Sequence, residues 1–350
     1  MHDLIVEVQP QRVVVETCSI AGWVHDLCES LNIPDIQIAN PSGEAWKWKN
    51  VKRKTDKDDA LKLATMSAMQ TLPTVWMPSP QGRQLRRLVL RRSIIVQRCT
   101  AMKNEIRAIL SQQGLESPPA GKAGWTIKSL EQLDTLAKPM DECSVDELWR
   151  GRLSIELSAL RMMMKLLAQM EKKLEALGQA DERITRLRTV PGVGPRLAET
   201  VVAFLGDPHR FDNARQVSAY AGLVPRQHQS GTMNRHGRIT RRGPRLLRSM
   251  LVEVAWLAVR HNDWATGIVA HLSQGAKGRR RQAIVALARK LLVRLWAMLR
   301  DGTNWKHPTQ GASERVRGQQ AASSHHTAGS GPPRSLAQPS GGVFPSSSDL

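Results

Sequence analysis

The sequence predicts an α/β segment followed by a mostly α-helical remainder, and three patterns carry that expectation. Two short β-branched runs, Arg12-Val13-Val14-Val15-Glu16 and Ile36-Gln37-Ile38-Ala39, flank one amphipathic stretch, the pattern of strand, helix, strand. Two long segments, 81–112 and 146–177, space their apolar residues by three and four, as helices do. A tight Pro191-Gly192-Val193-Gly194-Pro195 step then separates two further apolar helical stretches.

Taken in order, the first helix should bury Ile20, Trp23, Val24, Leu27 and Leu31 on one face, and Asn40-Pro41 should stop the second strand. From about Lys54 the pattern turns helical through Ala60, Leu61, Leu63, Ala64 and Met66. The two long helices flank a loop with Ser117-Pro118-Pro119-Ala120-Gly121. In the second of them Leu160, Met163, Leu167, Met170, Leu174 and Leu177 form a coiled-coil seam, compatible with self-association or with an ordinary packed hairpin. Gly178 should end that helix, and a new unit should begin near Asp181. The expected division is 1–75, 76–180 and 181–301, with 302–350 disordered. That tail holds 9 Ser, 7 Gly and 5 Pro, too little apolar surface for a core.

Charge narrows the partners. The net charge is +20, and residues 186–300 hold 21 Lys/Arg against 5 Asp/Glu. Such a field favours a polyanion, because each neutralised phosphate releases a condensed counterion. Segments 235–248 and 277–300 are the expected nucleic-acid contacts, and Trp46 and Trp48 suit either base stacking or core packing. Cys18, Cys28, Cys99 and Cys143 are scattered, which excludes a CxxC zinc site. The start has no signal-peptide pattern and no apolar run is long enough to span a bilayer, so a soluble cytoplasmic protein is expected.

Three groups of residues carry candidate chemistry. In the hairpin, Gly192 and Gly194 would let the backbone approach a duplex, and the helix start at Pro195-Arg196 would present free N–H groups to a phosphate. Ser230-Gly231 lies among Arg226, Arg235, Arg238, Arg241 and Arg242, so a serine could attack phosphorus while guanidiniums offset the developing charge; a plain turn, with a solvated His228, fits the same residues. Asp56 and Asp59 share one helical face and Glu16 ends a strand. Hard oxygen ligands from separate elements are what Mg²⁺ takes in phosphoryl transfer, though a mixed-charge surface helix matches the Asp spacing equally.

Together these residues resemble a known family. Lys54-Thr55-Asp56 with Asp59-Ala60, the Pro191–195 step, Gly222-Leu223-Val224-Pro225-Arg226 through Ser230-Gly231 to Arg238-Ile239-Thr240, and Ala288-Arg289-Lys290-Leu291-Leu292 are similar to the DEDD insertion-sequence transposases of the one-hundred-and-ten class, relatives of the Piv-type DNA invertases. The resemblance covers roughly residues 5–300. It implies a RuvC-like (RNase H-type) domain, a helical coiled-coil insertion, and a mostly helical C-terminal transposase domain with a helix-hairpin-helix. It further implies Mg²⁺ on Glu16, Asp56 and Asp59, and Ser230 as nucleophile forming a phosphoserine link. Element-end and target duplex DNA, an element-encoded guide RNA and a homo-oligomer are the implied partners. The family's first Asp precedes Glu16 by three strands and a helix, and Asp3 falls in a helical stretch. The expectation is therefore a chain that lacks one catalytic carboxylate and is inactive, or serves as a non-catalytic DNA-binding remnant.

Overall fold

The computed structural model describes residues 1–40, 55–121, 123–230 and 233–306; His228, Gln229, Ser230, Met233, Asn234 and His236 are described by backbone alone. Trp46, Trp48, Lys54, Gly231 and most of the expected tail lie outside the described residues. Met1–Asn304 form one compact unit.

The chain opens with α1 (His2–Val8), which holds Asp3 in its first turn, as expected for a helical stretch. Strand β1 (Arg12–Glu16) then pairs in parallel with β2 (Asp35–Ala39), in a register that sets Arg12 against Asp35 and Glu16 against Ala39. The crossover is α2 (Ala21–Ser30), which buries Val24 and Cys28 with Ile5 and packs against Val13, Val15 and Ile36. Ile20 and Trp23 are exposed, contrary to the face expected for them; the inward stripe is Ala21, Val24 and Cys28. Helix α3 (Asp56–Ala68) is capped by Thr55, whose Oγ1 accepts from the Asp58 N–H at 3.2 Å and donates to the Asp58 carboxylate at 2.6 Å. Its other end is pinned to the sheet: buried Ser67 donates to Gln37 at 2.8 Å, and Arg12 donates to the Ser67 carbonyl at 3.1 Å. The returning chain bridges Thr74 to Ala39 in antiparallel sense.

Two 33-residue helices follow, α4 (Pro80–Gln112) and α6 (Leu148–Ala180), each about 50 Å long. They run antiparallel, since Arg92 meets Glu171 at 2.6 Å and Arg152 meets Glu105 at 3.0 Å. Ile95, Cys99, Ile106, Ile109 and Leu110 of α4 interlock with Leu153, Leu157 and Leu160 of α6, and Trp125 with Leu130 and Leu133 of α5 (Ile127–Leu136) close the far end. The seam read from sequence is filled within the chain over most of its length: Leu160 and Leu174 are fully buried, Met163, Leu167 and Met170 pack on the α4–α6 core, and Leu177, also expected in it, is exposed. Gly178 does not end α6. It is buried inside the helix, where an added Cβ would make ordinary contact with Ile184 at 3.5 Å.

The C-terminal part contains α7 (Glu182–Arg188), α8 (Pro195–Leu205), α9 (Ala214–Tyr220), a β3–β4 ribbon (Pro225–Ser230 and Met233–Ile239), α10 (Arg245–His261), α11 (Asp263–Ser273) and α12 (Arg280–Asp301). Helix α12 packs on α7, α9, α10 and α11, burying Ile284, Leu287, Leu291, Leu292 and Leu295. The ribbon had no counterpart in the sequence expectation. Among the described residues it forms a two-stranded sheet by itself.

Candidate functional site

The turn between α7 and α8 is built by its glycines in two different ways. Gly192 has φ of +90°, and an added Cβ would come 3.2 Å from Cα of Ala258 on α10. Its missing side chain therefore admits α10. Gly194 is exposed, caps α8, and has nothing within 4 Å of an added Cβ. Pro195 opens α8 as expected, so the free N–H groups of its first turn begin beside the open glycine.

Arg196, expected at a phosphate, is turned inward. Its Nη1 donates to both oxygens of Glu199 at 2.9 Å, and Nη2 lies 3.8 Å from Glu175. Glu199 is 1% exposed, and burial pushes its carboxyl above the ordinary range against the pull of Arg196. The sequence signal was available: Arg196 and Glu199 stand three apart on an otherwise apolar helix.

The ribbon carries the arginine cluster. Gln227 pairs with His236, His228 with Arg235 and Ser230 with Met233, which puts Ser230 at the last rung of the ladder. Ser230 is thus a strand residue by backbone, where a loop was expected. Arg226, Arg235 and Arg238 on the strands, with Arg241 and Arg242 at the ribbon's foot, are all exposed. Two glycines, Gly222 and Gly243, clamp that foot. An added Cβ at Gly222 would fall 2.1 Å from the Arg242 carbonyl oxygen, and at Gly243 1.8 Å from that of Tyr220. Both have positive φ, 66° and 79°, a conformation glycine adopts without strain. Arg248 ties the foot to α10 through the Ala221 carbonyl at 3.0 Å. Burial depresses its pKa, and the charges of Arg241 and Arg245 add to that, a direct sign of the positive field there.

The carboxylates are not gathered into one cluster. Glu16 is half-buried at the C-terminal end of β1, Asp56 is exposed at the start of α3, and Asp59 is half-buried one turn on. Among the described residues, these three do not bring their oxygens together within 4.8 Å; the triad that does is His25, Asp26 and Glu29 on α2, where Asp26 is already paired with Arg83. As a donor set, Glu16, Asp56 and Asp59 are all oxygen, the class a hard divalent cation takes.

Residues 184–269 match the Transposase IS116/IS110/IS902 family, and residues 29–114 match a transposase DEDD domain of the IS110 type. A probable family 20 transposase of Pseudomonas aeruginosa is 30% identical over 312 residues, covering 87% of this chain and 89% of that protein. The chain belongs to the IS116/IS110/IS902 transposase family. The transposase for insertion sequence element IS1111A of Coxiella burnetii is 29% identical over 82% of this chain and 77% of its own length. The pilin gene-inverting protein of Moraxella bovis is 26% identical over 72% and 67%, which fits the relation to Piv-type invertases. The chain is thus a DNA transposase by family, with DNA as its partner. Its DEDD domain implies a divalent metal. In this transposase the first match spans the α7–α8 turn, the ribbon and most of α11, and the second spans β2, α3 and α4, including Asp56 and Asp59. Among the described residues no helix is long and apolar enough to cross a membrane.

Proposed function

We propose that this transposase cuts and rejoins DNA through a phosphoserine at Ser230. The observation that carries the reading is the position of Ser230 at the end of an arginine-studded ribbon, within the family-matched span. The Ser230 Oγ–P bond forms as one P–O bond of the phosphodiester breaks. The serine proton leaves to solvent or a nearby base, and a proton returns to the departing sugar oxygen. The diester is conserved, so a second sugar hydroxyl can reverse the step with a new partner strand. Arg235, two rungs from Ser230, would offset charge on the pentavalent phosphorus, and Arg226, Arg238, Arg241 and Arg242 would hold the flanking backbone. The open N-terminus of α8 at Gly194 would take a further phosphate, while Gly192 and Arg196 serve the fold.

Glu16, Asp56 and Asp59 would hold Mg²⁺, which when bound supplies positive charge to phosphate oxygens. An element-encoded RNA would choose the DNA, and strand exchange between two ends would engage more than one copy of the chain. The test is incubation of the full chain with Mg²⁺ and the DNA flanking its own reading frame. A Ser230-dependent covalent protein–DNA adduct, abolished by Ser230→Ala, would carry this reading and overturn the expectation that the chain is inactive. DNA binding without any adduct in either protein would instead favour a non-catalytic DNA-binding protein.

A further inference from the structure

One set of arginines lies outside the reading above and faces the ribbon across a groove. The groove, of about 690 Å³, opens between the ribbon and α12; Arg238 and Arg241 line one wall, Arg281 and Arg289 the other. Among the described residues no carboxylate lines it. Nor does either wall bring one nearby in sequence, because the chain has no Asp or Glu between Asp212 and Glu253, or between Asp263 and Asp301.

The orientation of α12 is fixed by its core. Ala283, Ile284, Leu287, Ala288 and Leu291 are buried, so the adjoining stripe at 281, 285 and 289 faces the groove with one residue per turn. Val285, Ala286 and Ile239 give the groove an apolar floor between its charged rims. Arg289 is half-buried and also lines a second hollow of about 260 Å³ beside Trp264, so the two recesses share this arginine. Charged rims and an apolar floor match the alternation of phosphate and sugar along a nucleic-acid strand. A guanidinium partly shielded from water binds phosphate strongly and with two-pronged geometry.

We propose that this groove holds a sugar–phosphate backbone, with Arg238 and Arg241 on one side of it and Arg281 and Arg289 on the other. The proposal rests on the nucleic-acid reading above and extends it to a helix that reading does not use. DNA and an RNA offer the same backbone chemistry, so the test includes both.

The experiment uses the full chain carrying Ser230→Ala, so that only reversible binding is read. Fluorescence anisotropy follows affinity against salt for a random duplex, a single DNA strand and an RNA hairpin. Combining Arg281→Gln with Arg289→Gln should weaken binding tenfold or more at low salt. It should also flatten the log–log salt slope on duplex DNA by about 1.8, or about 1.4 on a single strand, for two lost contacts. Arg281→Gln alone, at an exposed residue that cannot disturb packing, should remove about half of that. The pair Arg91→Gln and Arg98→Gln, exposed on α4, removes the same charge away from the groove and should leave the slope unchanged. The probe that loses most identifies the source of the backbone. Unchanged slopes on all three probes, or an equal loss from the α4 pair, would overturn the proposal. Failure to find a Ser230-linked adduct would overturn the transposition chemistry and leave this comparison intact.

Discussion

Arg196 clasps both oxygens of Glu199 at 2.9 Å, with the carboxylate 1% exposed and the guanidinium one turn away on the same helix. The pair sits where α6, α7 and α8 meet, since Glu175 of α6 lies 3.8 Å from both Arg196 and Arg188. The α7–α8 turn is thus held by a buried charge contact on its inner side, and its outer side is left to Gly194.

Breaking this pair from one side should cost far more than removing both partners. Arg196→Ala strands a desolvated carboxylate and should lose about 3–5 kcal/mol in chemical denaturation. Arg196→Met with Glu199→Leu should recover much of that loss. A single-variant cost within about 0.5 kcal/mol of zero would show that the pair is solvent-compensated.

The same carboxyl gives a pH prediction. Because burial raises the Glu199 pKa in the folded state, its stabilising contribution is complete below the unfolded carboxyl value and is lost as pH rises through the folded one. Glu199→Gln removes that titration. The variant should therefore gain stability relative to the unsubstituted chain as pH rises from about 4 upward, and then level off. Parallel stability–pH curves for the two proteins would contradict the assignment.

Glycine replacements should separate fold from contact. Gly243→Ala places a methyl 1.8 Å from the Tyr220 carbonyl oxygen at positive φ, so the ribbon's foot must shift. A stability loss on the order of 1–3 kcal/mol or more is expected in thermal melting. Gly194→Ala meets open space at an ordinary φ of −84° and should cost no more than about 1 kcal/mol, the difference between Gly and Ala as an N-cap. Any loss of DNA affinity in that variant then reports on the open helix end alone.

The α4–α6 seam predicts a purely internal role. Leu160 is fully buried between the two helices, so Leu160→Ala should cost about 2–5 kcal/mol while sedimentation of the folded protein stays unchanged. Dissociation of an oligomer by this substitution would mean that the seam also joins copies.

The sequence was readable where apolar spacing decides structure. Val13, Val15, Ile36 and Ile38 mark two half-buried strands, and the three–four rhythm from Leu160 marks the long hairpin, because burial selects those residues at those intervals. The rhythm does not say which partner fills the seam, and α4 supplies it within the chain. The ribbon was not readable, since Arg226-Gln227-His228-Gln229-Ser230 has no apolar alternation. It is held by its backbone ladder, by the glycine clamps at 222 and 243, and by the Thr240 N–H bond to Val224 at 2.8 Å. Arg196 misled for a related reason. A basic residue beside an exposed glycine suits phosphate binding, and its partner Glu199 becomes visible only when both are set on one helix.

The carboxylates give the sharpest division between chemistry and fold. Asp56 is exposed and Asp59 half-buried on the first turns of α3, while the cap of that helix is made by Thr55 and Asp58. Asp56→Asn and Asp59→Asn therefore leave the capping contacts in place, and Asp56→Asn, at an exposed residue, should shift stability by no more than about 0.5 kcal/mol. If the proposed ligand roles hold, either variant should lose the Ser230-linked adduct in Mg²⁺ while keeping its affinity for duplex DNA. Glu16→Gln, at the end of β1, should behave in the same way, and chelation of the metal should reproduce all three. Thr55→Ala is the contrasting variant: it removes the cap and should destabilise α3 by about 1 kcal/mol, with its adduct falling only in proportion to the fraction unfolded. Adduct formation that survives both Asp substitutions and chelation would remove these carboxylates from the reaction.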